Sequence, residues 1–425
     1  MVVSLFRTGL PGIALGAISL VGCAGPRPEV AVGLDRAGLA AYYQKEAQEE
    51  LTPVTRHELF DGGPAIKAEM LRLVDLARDY ILVDSFLVTD GPESREVLDA
   101  LAKKAKEGVR VQVIGDSSSR FVPELQGFNY LNDRGVPAAE FHPIRGWRVF
   151  LLPNLFERDH RKFWVVDGRW VFLGGANVND PSLMAPGQGG NRDLMMTLES
   201  RAAARRLTGS FVKTWNQSDG PGKLDEADFV TGEGRAESTA GEGTSFWFFD
   251  QDDIRIRPTK TEVMMEGLFA SARRTVWLVE PYTFVNPRIL SSIRSMTDRG
   301  VQVNVLLSSQ ARAPRFRYAS FYGIKDLIES GAKVWIFDSA ASPLHYKCAL
   351  IDDELAYAGS SNLNLRSYRL SRELNVVFDH PGSVAEIRAV IHSVLKDCRI
   401  PTREEAKHYR TLPFLTWWLI MQGAG

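Results

Sequence analysis

Short apolar runs of strand length alternate along the chain with segments whose apolar residues recur at i, i+3 and i+4. That alternation predicts strand–helix–strand units and a largely parallel sheet. The order of the segments then repeats. Residues 77–86 run from Ala77, Arg78 and Asp79 into an apolar strand that ends at Phe86, and residues 272–282 run the same way from Ala272 to Tyr282. Residues 108–113 and 300–305 each open on a glycine and continue as a Val-rich strand, and residues 135–141 and 331–337 make a third matched pair. Glycine at the head of these pairs is expected to stop the preceding helix, because it takes the left-handed conformation without steric cost. The segments before Gly108 and Gly300, from Val97 to Lys106 and from Pro287 to Arg299, carry the spacing of amphipathic helices.

Between the copies, residues 218–244 are dense in Gly, Ser, Asp, Glu and Thr and poor in large apolar side chains, which is the composition of an exposed connector. One α/β unit written twice accounts for the 425 residues, with expected halves at 51–217 and 251–399 and a linker over 218–250. Charge narrows the function classes. The 51 Lys+Arg and 52 Asp+Glu leave a net charge of −1, which argues against a protein that coats polyanions through an overall basic surface. Three cysteines exclude a disulfide scaffold, so packing must hold the core.

Each half carries the same constellation. His160 is followed by Lys162, Asp167, Gly174 and Asn177, and His345 by Lys347, Asp352, Gly359 and Asn362, at identical offsets of +2, +7, +14 and +17. A single chance match has odds on the order of one in ten thousand. In a strand, His-x-Lys puts both side chains on one face. The apolar residues that follow predict a buried strand, a tight turn at Asp167-Gly168 or Asp352-Asp353, and a second strand ending in a small-residue turn, Gly-Gly-Ala-Asn or Gly-Ser-Ser-Asn. Two facing sets of one imidazole, one ammonium and one amide surround a small anion, and a phosphate open to in-line attack is the natural occupant. The sequence offers no HExxH and no Cys/His cluster, so no metal or other cofactor is expected.

These residues resemble the phospholipase D superfamily, named for its duplicated His-Lys-Asp motif, over most of the chain from about Leu59 to Ala389. The stretch from Arg317 and Tyr318 through Leu327 to Ile336 is most similar to the bacterial cardiolipin synthase-like branch. The resemblance implies two pseudo-symmetric halves, each a mixed, mostly parallel sheet flanked by helices, with the active site at their interface. It implies attack by His160 on phosphorus to form a phosphohistidine, with His345 as acid and then base. Lys162 and Lys347 would hold the non-bridging oxygens, with Asn177, Asn362 and Ser360 as further phosphate donors. Glu373 would orient His160 and Asp193 would orient His345 across the halves, while Asp167, Asp352, Gly174 and Gly359 serve structure. The first turn departs from the pattern in lacking a hydroxyl. The reaction implied is phosphatidyl transfer that forms or remodels phospholipids. The alternatives are hydrolytic release of phosphatidic acid and a phosphodiesterase or nuclease activity.

The chain ends bear on location. Arg7 precedes an apolar run, Leu10 to Val21, that is shorter than the roughly 20 residues a bilayer span needs. With Leu20, Val21, Gly22 and Cys23 it resembles the signal and lipobox of bacterial lipoproteins, implying removal of residues 1–22 and acylation of Cys23. Residues 23–50 would then hold a tether, and the protein would face the periplasm or cell exterior on a membrane, with an outer-membrane destination compatible. Cys348 and Cys398 read equally as a bridge or as free thiols. The tail over 400–425 holds Pro413, Phe414, Leu415, Trp417 and Trp418, and reads equally as a docked segment or as an interfacial patch. Arg312, Arg315 and Arg317 read as a solvated loop or as partners for a second headgroup phosphate. The expected partners are a phosphatidylglycerol-like phospholipid and a membrane surface, without nucleic acid. Phe86 and Tyr282, at matched strand ends, read as core or as pocket wall.

Overall fold

A computed structural model of the chain describes residues 30–121, 127–144, 157–229, 244–311, 314–339 and 342–424. Cys23 with its leader, and Arg312, lie outside the described residues. The chain opens with helix α1 (Arg36–Ala47) and strand β1 (Leu51–Val54). The first half then runs β2 (Arg56–Asp61), α2 (Gly63–Leu76), β3 (Tyr80–Ser85), α3 (Pro92–Lys106), β4 (Arg110–Asp116), α4 (Gly127–Asn132) and β5 (Ala138–Phe141). It continues through a two-residue strand β6 (Arg158–Asp159), a hairpin of β7 (Lys162–Val166) and β8 (Trp170–Gly174), α5 (Asp180–Leu183), β9 (Leu194–Glu199) and α6 (Arg201–Gln217). The second half repeats the order with β10 (Thr244–Gln251), α7 (Lys260–Ser271), β11 (Thr275–Val279), α8 (Pro287–Asp298), β12 (Gln302–Ser308), α9 (Pro314–Tyr322), α10 (Ile324–Glu329) and β13 (Lys333–Phe337). Next come β14 (Cys348–Ile351), β15 (Leu355–Gly359), α11 (Leu365–Arg369), β16 (Ser371–Phe378) and α12 (Pro381–Leu395). β17 (Cys398–Arg399), α13 (Arg403–His408) and α14 (Leu412–Ala424) close the chain.

Local chemistry sets these boundaries. α3 has Pro92 and Glu93 in its first turn and Lys103, Lys104 and Lys106 in its last, which complements the helix dipole, while Val97, Leu98 and Leu101 face the core. Thr259 and Glu262 form a capping box at the start of α7. Gly108, Gly135, Gly300 and Gly331 all have positive φ, between 80° and 95°, and end their helices as the sequence predicts.

The first sheet has the order β2-β9-β8-β7-β3-β4-β5, and the second β1-β10-β16-β15-β14-β11-β12-β13-β17. Matched strands thus occupy matched places, and the two-half α/β architecture is as expected. The balance of pairing differs from the expectation of mostly parallel sheets. Within each repeat only the three strands β3-β4-β5 or β11-β12-β13 pair in parallel. The motif strands form antiparallel hairpins instead. Asp167 and Gly168 in one, and Asp352 and Asp353 in the other, have φ of 50°, 58°, 55° and 62°, consecutive left-handed residues in the tight connections between the paired residues Val166 and Trp170 and Ile351 and Leu355.

The halves also exchange segments. β1 pairs with β10 of the second sheet, and α1 buries Leu39 and Tyr43 in the second half's outer core. β6 pairs in parallel with β16. β10 begins at Thr244, where the connector-like composition ends. One core joins the inner faces of both sheets with α6 and α12, and further clusters fill the outer faces. Cys348 and Cys398 are both free.

Candidate active site

The four motif side chains sit where each hairpin begins, at the seam between the sheets. Lys162 opens β7, while His160, His345 and Lys347 lie just ahead of β7 or β14. What fixes these entries is pairing with the other half. The His160 N–H donates to the Arg372 carbonyl at 3.0 Å, and the His345 N–H donates to the Arg192 carbonyl at 2.8 Å. The next residue after each of those arginines is the carboxylate that meets the imidazole. Glu373 places both oxygens 3.1 Å from His160 Nδ1, and Asp193 Oδ1 lies 2.6 Å from His345 Nδ1. Both carboxylates are fully buried, whereas the imidazoles keep 16% and 13% of their side-chain surface exposed. An ionised carboxylate can only accept, so it fixes the proton on Nδ1 and leaves the Nε2 lone pair for chemistry.

The residues between each His and Lys cross the seam too. Arg161 is wholly buried and pairs with Asp84, Asp159 and Asp250, while Ser210 and Thr214 accept from it as well. Its counterpart Tyr346 donates to Asp61 at 2.5 Å. Asp61 and Asp250 stand at matched places in the two repeats, each opposite the leucine that follows the histidine-binding carboxylate. Sequence reading missed both partners, because an arginine and a tyrosine at the same slot share no chemistry.

Electrostatics follow from burial. Desolvation, with Lys162 beside it, lowers His160, and desolvation lowers His345 to about 4 against the opposing pull of Asp193. Desolvation brings Lys162 down to about 7 and also depresses Lys347. Burial would raise Asp193 and Glu373, but the histidine and lysine beside each hold both carboxyls below their ordinary range. His160 also feels Lys347, and His345 feels Lys162, so the two sets share one field. The site thus holds neutral imidazoles beside two buried lysines that share the field of Asp193 and Glu373.

The other candidates separate into groups. Asn177 accepts the Leu87 N–H at 3.1 Å, which turns its carbonyl inward and leaves its amide NH2 as a donor, and Asn362 is buried with an unpartnered Oδ1. Asp167 accepts the N–H groups of Arg78, Asp79 and Tyr80, and Asp352 those of Arg273, Arg274 and Thr275. Each aspartate therefore pins its turn to the strand beside it. A Cβ at Gly174 would lie 2.3 Å from the Leu194 carbonyl, and one at Gly359 would lie 2.3 Å from Asn375 Oδ1, so only glycine fits.

Ser360 corrects the expectation of a phosphate donor. Its hydroxyl donates to Glu373 Oε2 at 2.5 Å and accepts the Leu374 N–H at 2.9 Å, so it is fully engaged on the carboxylate. The hydroxyl absent from the first turn is therefore absent from a carboxylate support. There, a Cβ on Gly175 would already lie 3.1 Å from the shorter Asp193. Phe86 and Tyr282 are half-buried and stand edge-on to His160 and His345, with ring centroids 4.8 and 5.9 Å apart. Arg315 and Arg317 are exposed on α9.

Two repeats with a His-x-Lys pair each, joined so that every histidine is held by the opposite half, define a duplicated-motif phosphoryl-transfer protein of the phospholipase D-like fold. The chain belongs to the family described as cardiolipin synthase, PLD-like domain, whose model matches residues 70–215 and 265–395. It is similar to cardiolipin synthase 1 of Staphylococcus epidermidis, at 26% identity over 357 residues covering 83% of this chain and 70% of that one. It is also similar to cardiolipin synthase 2 of Bacillus anthracis, at 28% identity over 318 residues, 73% of this chain and 59% of that one. In fold it resembles the crystal structure of phosphatidylserine synthase from Haemophilus influenzae, with a TM-score of 0.66 at 15% identity, covering 88% of this chain and 92% of that one.

Proposed function

We propose that this protein is a phosphatidyltransferase that forms or remodels phospholipids of the cardiolipin type. The observation that carries the reading is the pair of imidazoles, each held at Nδ1 by a buried carboxylate of the other half beside two buried lysines. The Nε2 lone pair of His160 attacks phosphorus of a phosphatidylglycerol-like diester, and the bond to the glycerol oxygen breaks as His345 protonates that oxygen. The hydroxyl of an acceptor alcohol then loses its proton to His345, attacks phosphorus, and returns the electron pair of the P–N bond to His160. Lys162 and Lys347 hold the non-bridging oxygens, and the Asn177 and Asn362 amides donate to them. The phosphate charge also raises the depressed histidine pKa values, so the bound substrate favours the protonated acid.

The deciding experiment incubates the purified protein with labelled phosphatidylglycerol and resolves the products. Cardiolipin plus glycerol is the expected result. Phosphatidic acid would make water the acceptor, and nuclease activity without lipid turnover would overturn the reading. Acylation at Cys23, which would tether the chain to a membrane facing the periplasm or cell exterior, is part of the same proposal. Metabolic labelling with a palmitate analogue that disappears in Cys23→Ser tests it.

A further inference from the structure

The most apolar helix among the described residues stands outside the catalytic constellation yet packs against the rings beside it. No charged residue occurs from Leu412 to Gly425, and the 13 residues of α14 are too few to cross a bilayer, which takes about 20. One face of α14 is anchored. Met421 is buried with Phe284 and Ala319, with Trp417 and Ile420 packed on them, and Trp418 Nε1 donates to the Val285 carbonyl at 3.2 Å. The other face presents Leu412, 74% exposed, then half-buried Leu415, then Leu419, 41% exposed. Those three leucines follow i, i+3, i+7 and form one stripe toward water.

Two further observations say what covers the stripe. The first is continuity with the active site. Trp417 and Ile420 belong to the same aromatic cluster as Phe316 and Tyr282, whose centroids lie 4.9 Å apart, and Tyr282 is edge-on to His345. The anchored face of the helix that carries the outward leucines is therefore joined through these rings to the imidazole. The second is charge. Arg315 and Arg317 are exposed on α9, the helix against which α14 packs, and neither has a carboxylate partner among the described residues. The nearby acids are taken, Asp326 by Arg410 and both Asp338 and Glu405 by Arg399. Two exposed guanidiniums, Arg315 over the Phe316 ring and Arg317 over the Tyr318 ring, on the helix that packs against the uncharged α14 match anionic headgroups lying over acyl chains.

We propose that the α14 leucine stripe and the Arg315/Arg317 pair form the surface on which the protein docks to an anionic phospholipid bilayer, with the His345 wall of the cleft at headgroup level. The proposal deepens the phosphatidyltransferase reading and rests on it for the purpose of the surface, though vesicle binding can be measured without turnover. The test uses the full chain with Cys23→Ser and Cys398→Ser, labelled through Leu419→Cys with a polarity-sensitive fluorophore. Phosphatidylglycerol vesicles should shift its emission to the blue. Arg315→Gln with Arg317→Gln should weaken that response about 25-fold, from roughly fivefold per cation, and leave the response to phosphatidylcholine vesicles unchanged. Leu412→Asp should weaken both, and should cut turnover of vesicle phosphatidylglycerol at least about tenfold while sparing a monomeric short-chain analogue. Emission indifferent to vesicles, or shifted by protein concentration alone, would overturn the proposal. A blue shift without any lipid turnover would uphold the docking surface and sink the phosphatidyltransferase, whereas turnover without a shift does the reverse.

Discussion

Replacing Glu373 by Gln should cost far more than the loss of one charge, because Ser360 dictates which way the new amide faces. The Ser360 hydroxyl oxygen is committed to the Leu374 N–H at 2.9 Å, so its proton must go to residue 373, at 2.5 Å. A glutamine there turns its carbonyl oxygen to Ser360 and puts its NH2, in place of the second carboxylate oxygen, 3.1 Å from His160 Nδ1, where it competes to donate. The imidazole then accepts at Nδ1 and carries its proton on Nε2, which removes the lone pair that would attack phosphorus. A wrong tautomer in an otherwise intact triad lowers kcat about 10⁴-fold, or about 5.5 kcal/mol at 1.36 kcal/mol per tenfold step. Formation of the phosphohistidine, followed as acid-labile label transferred from phosphatidylglycerol in a single turnover, should slow by that order while the denaturation midpoint moves little. In a Ser360→Ala background the amide can reverse, and the further loss from Glu373→Gln should shrink by at least about tenfold. A Glu373→Gln enzyme within tenfold of the parent, or strictly additive losses in the double variant, would refute the reasoning.

Other consequences are checked more quickly. The folded chain holds His345 at about 4 against an ordinary value near 6.5, so the unfolded chain binds the extra proton between these values. The stability this group contributes is complete above about pH 6.5 and is lost, by about 3 kcal/mol, as pH falls toward 4. Urea midpoints at pH 7 and pH 5 should therefore differ less in His345→Asn than in the parent. Arg161→Met leaves Asp84, Asp159 and Asp250 buried without their shared cation and should cost about 3–5 kcal/mol of stability by denaturant titration. Because Lys162 stands near 7 in the empty site, binding of a tetrahedral oxyanion such as vanadate should take up protons and weaken as pH rises above 7. Calorimetry in buffers of different ionisation heat measures that uptake, and its absence would remove Lys162 from the anion site.

What the sequence disclosed was mostly local. The hairpins were legible because Asp167 and Gly168, or Asp352 and Asp353, lie between two apolar runs, and the helix ends because each glycine sits at a break in periodicity. Strand direction was not legible. A buried run such as 162–166 reads as a strand of either sense, and only the tight turn, which cannot join parallel neighbours, carried the antiparallel answer. The exchange of α1 and β1 onto the second half left no trace in spacing, since their few apolar residues match any core. Ser360 was misassigned because a hydroxyl beside a phosphate motif is chemically suited to the phosphate. Its real partner lies 13 residues onward, on a neighbouring strand.

The exchange explains why the site exists only when the halves meet. Neither half contains a held imidazole by itself, since His160 depends on Glu373 and His345 on Asp193. The link is built from backbone as well, through β6 on β16 and the parallel bridge of Leu344 with Arg192. These pairings set each carboxylate in register with the opposite histidine, so a one-residue slip would turn the carboxylate to the other face of its strand. Arg161 and Tyr346 then lock the registers by reaching Asp250 and Asp61 on the far side. Repacking within one half is therefore tolerable as long as it leaves the seam alone. A change that lets the halves shift by even one residue removes both tautomer locks together, and activity should fall before either half loses its fold.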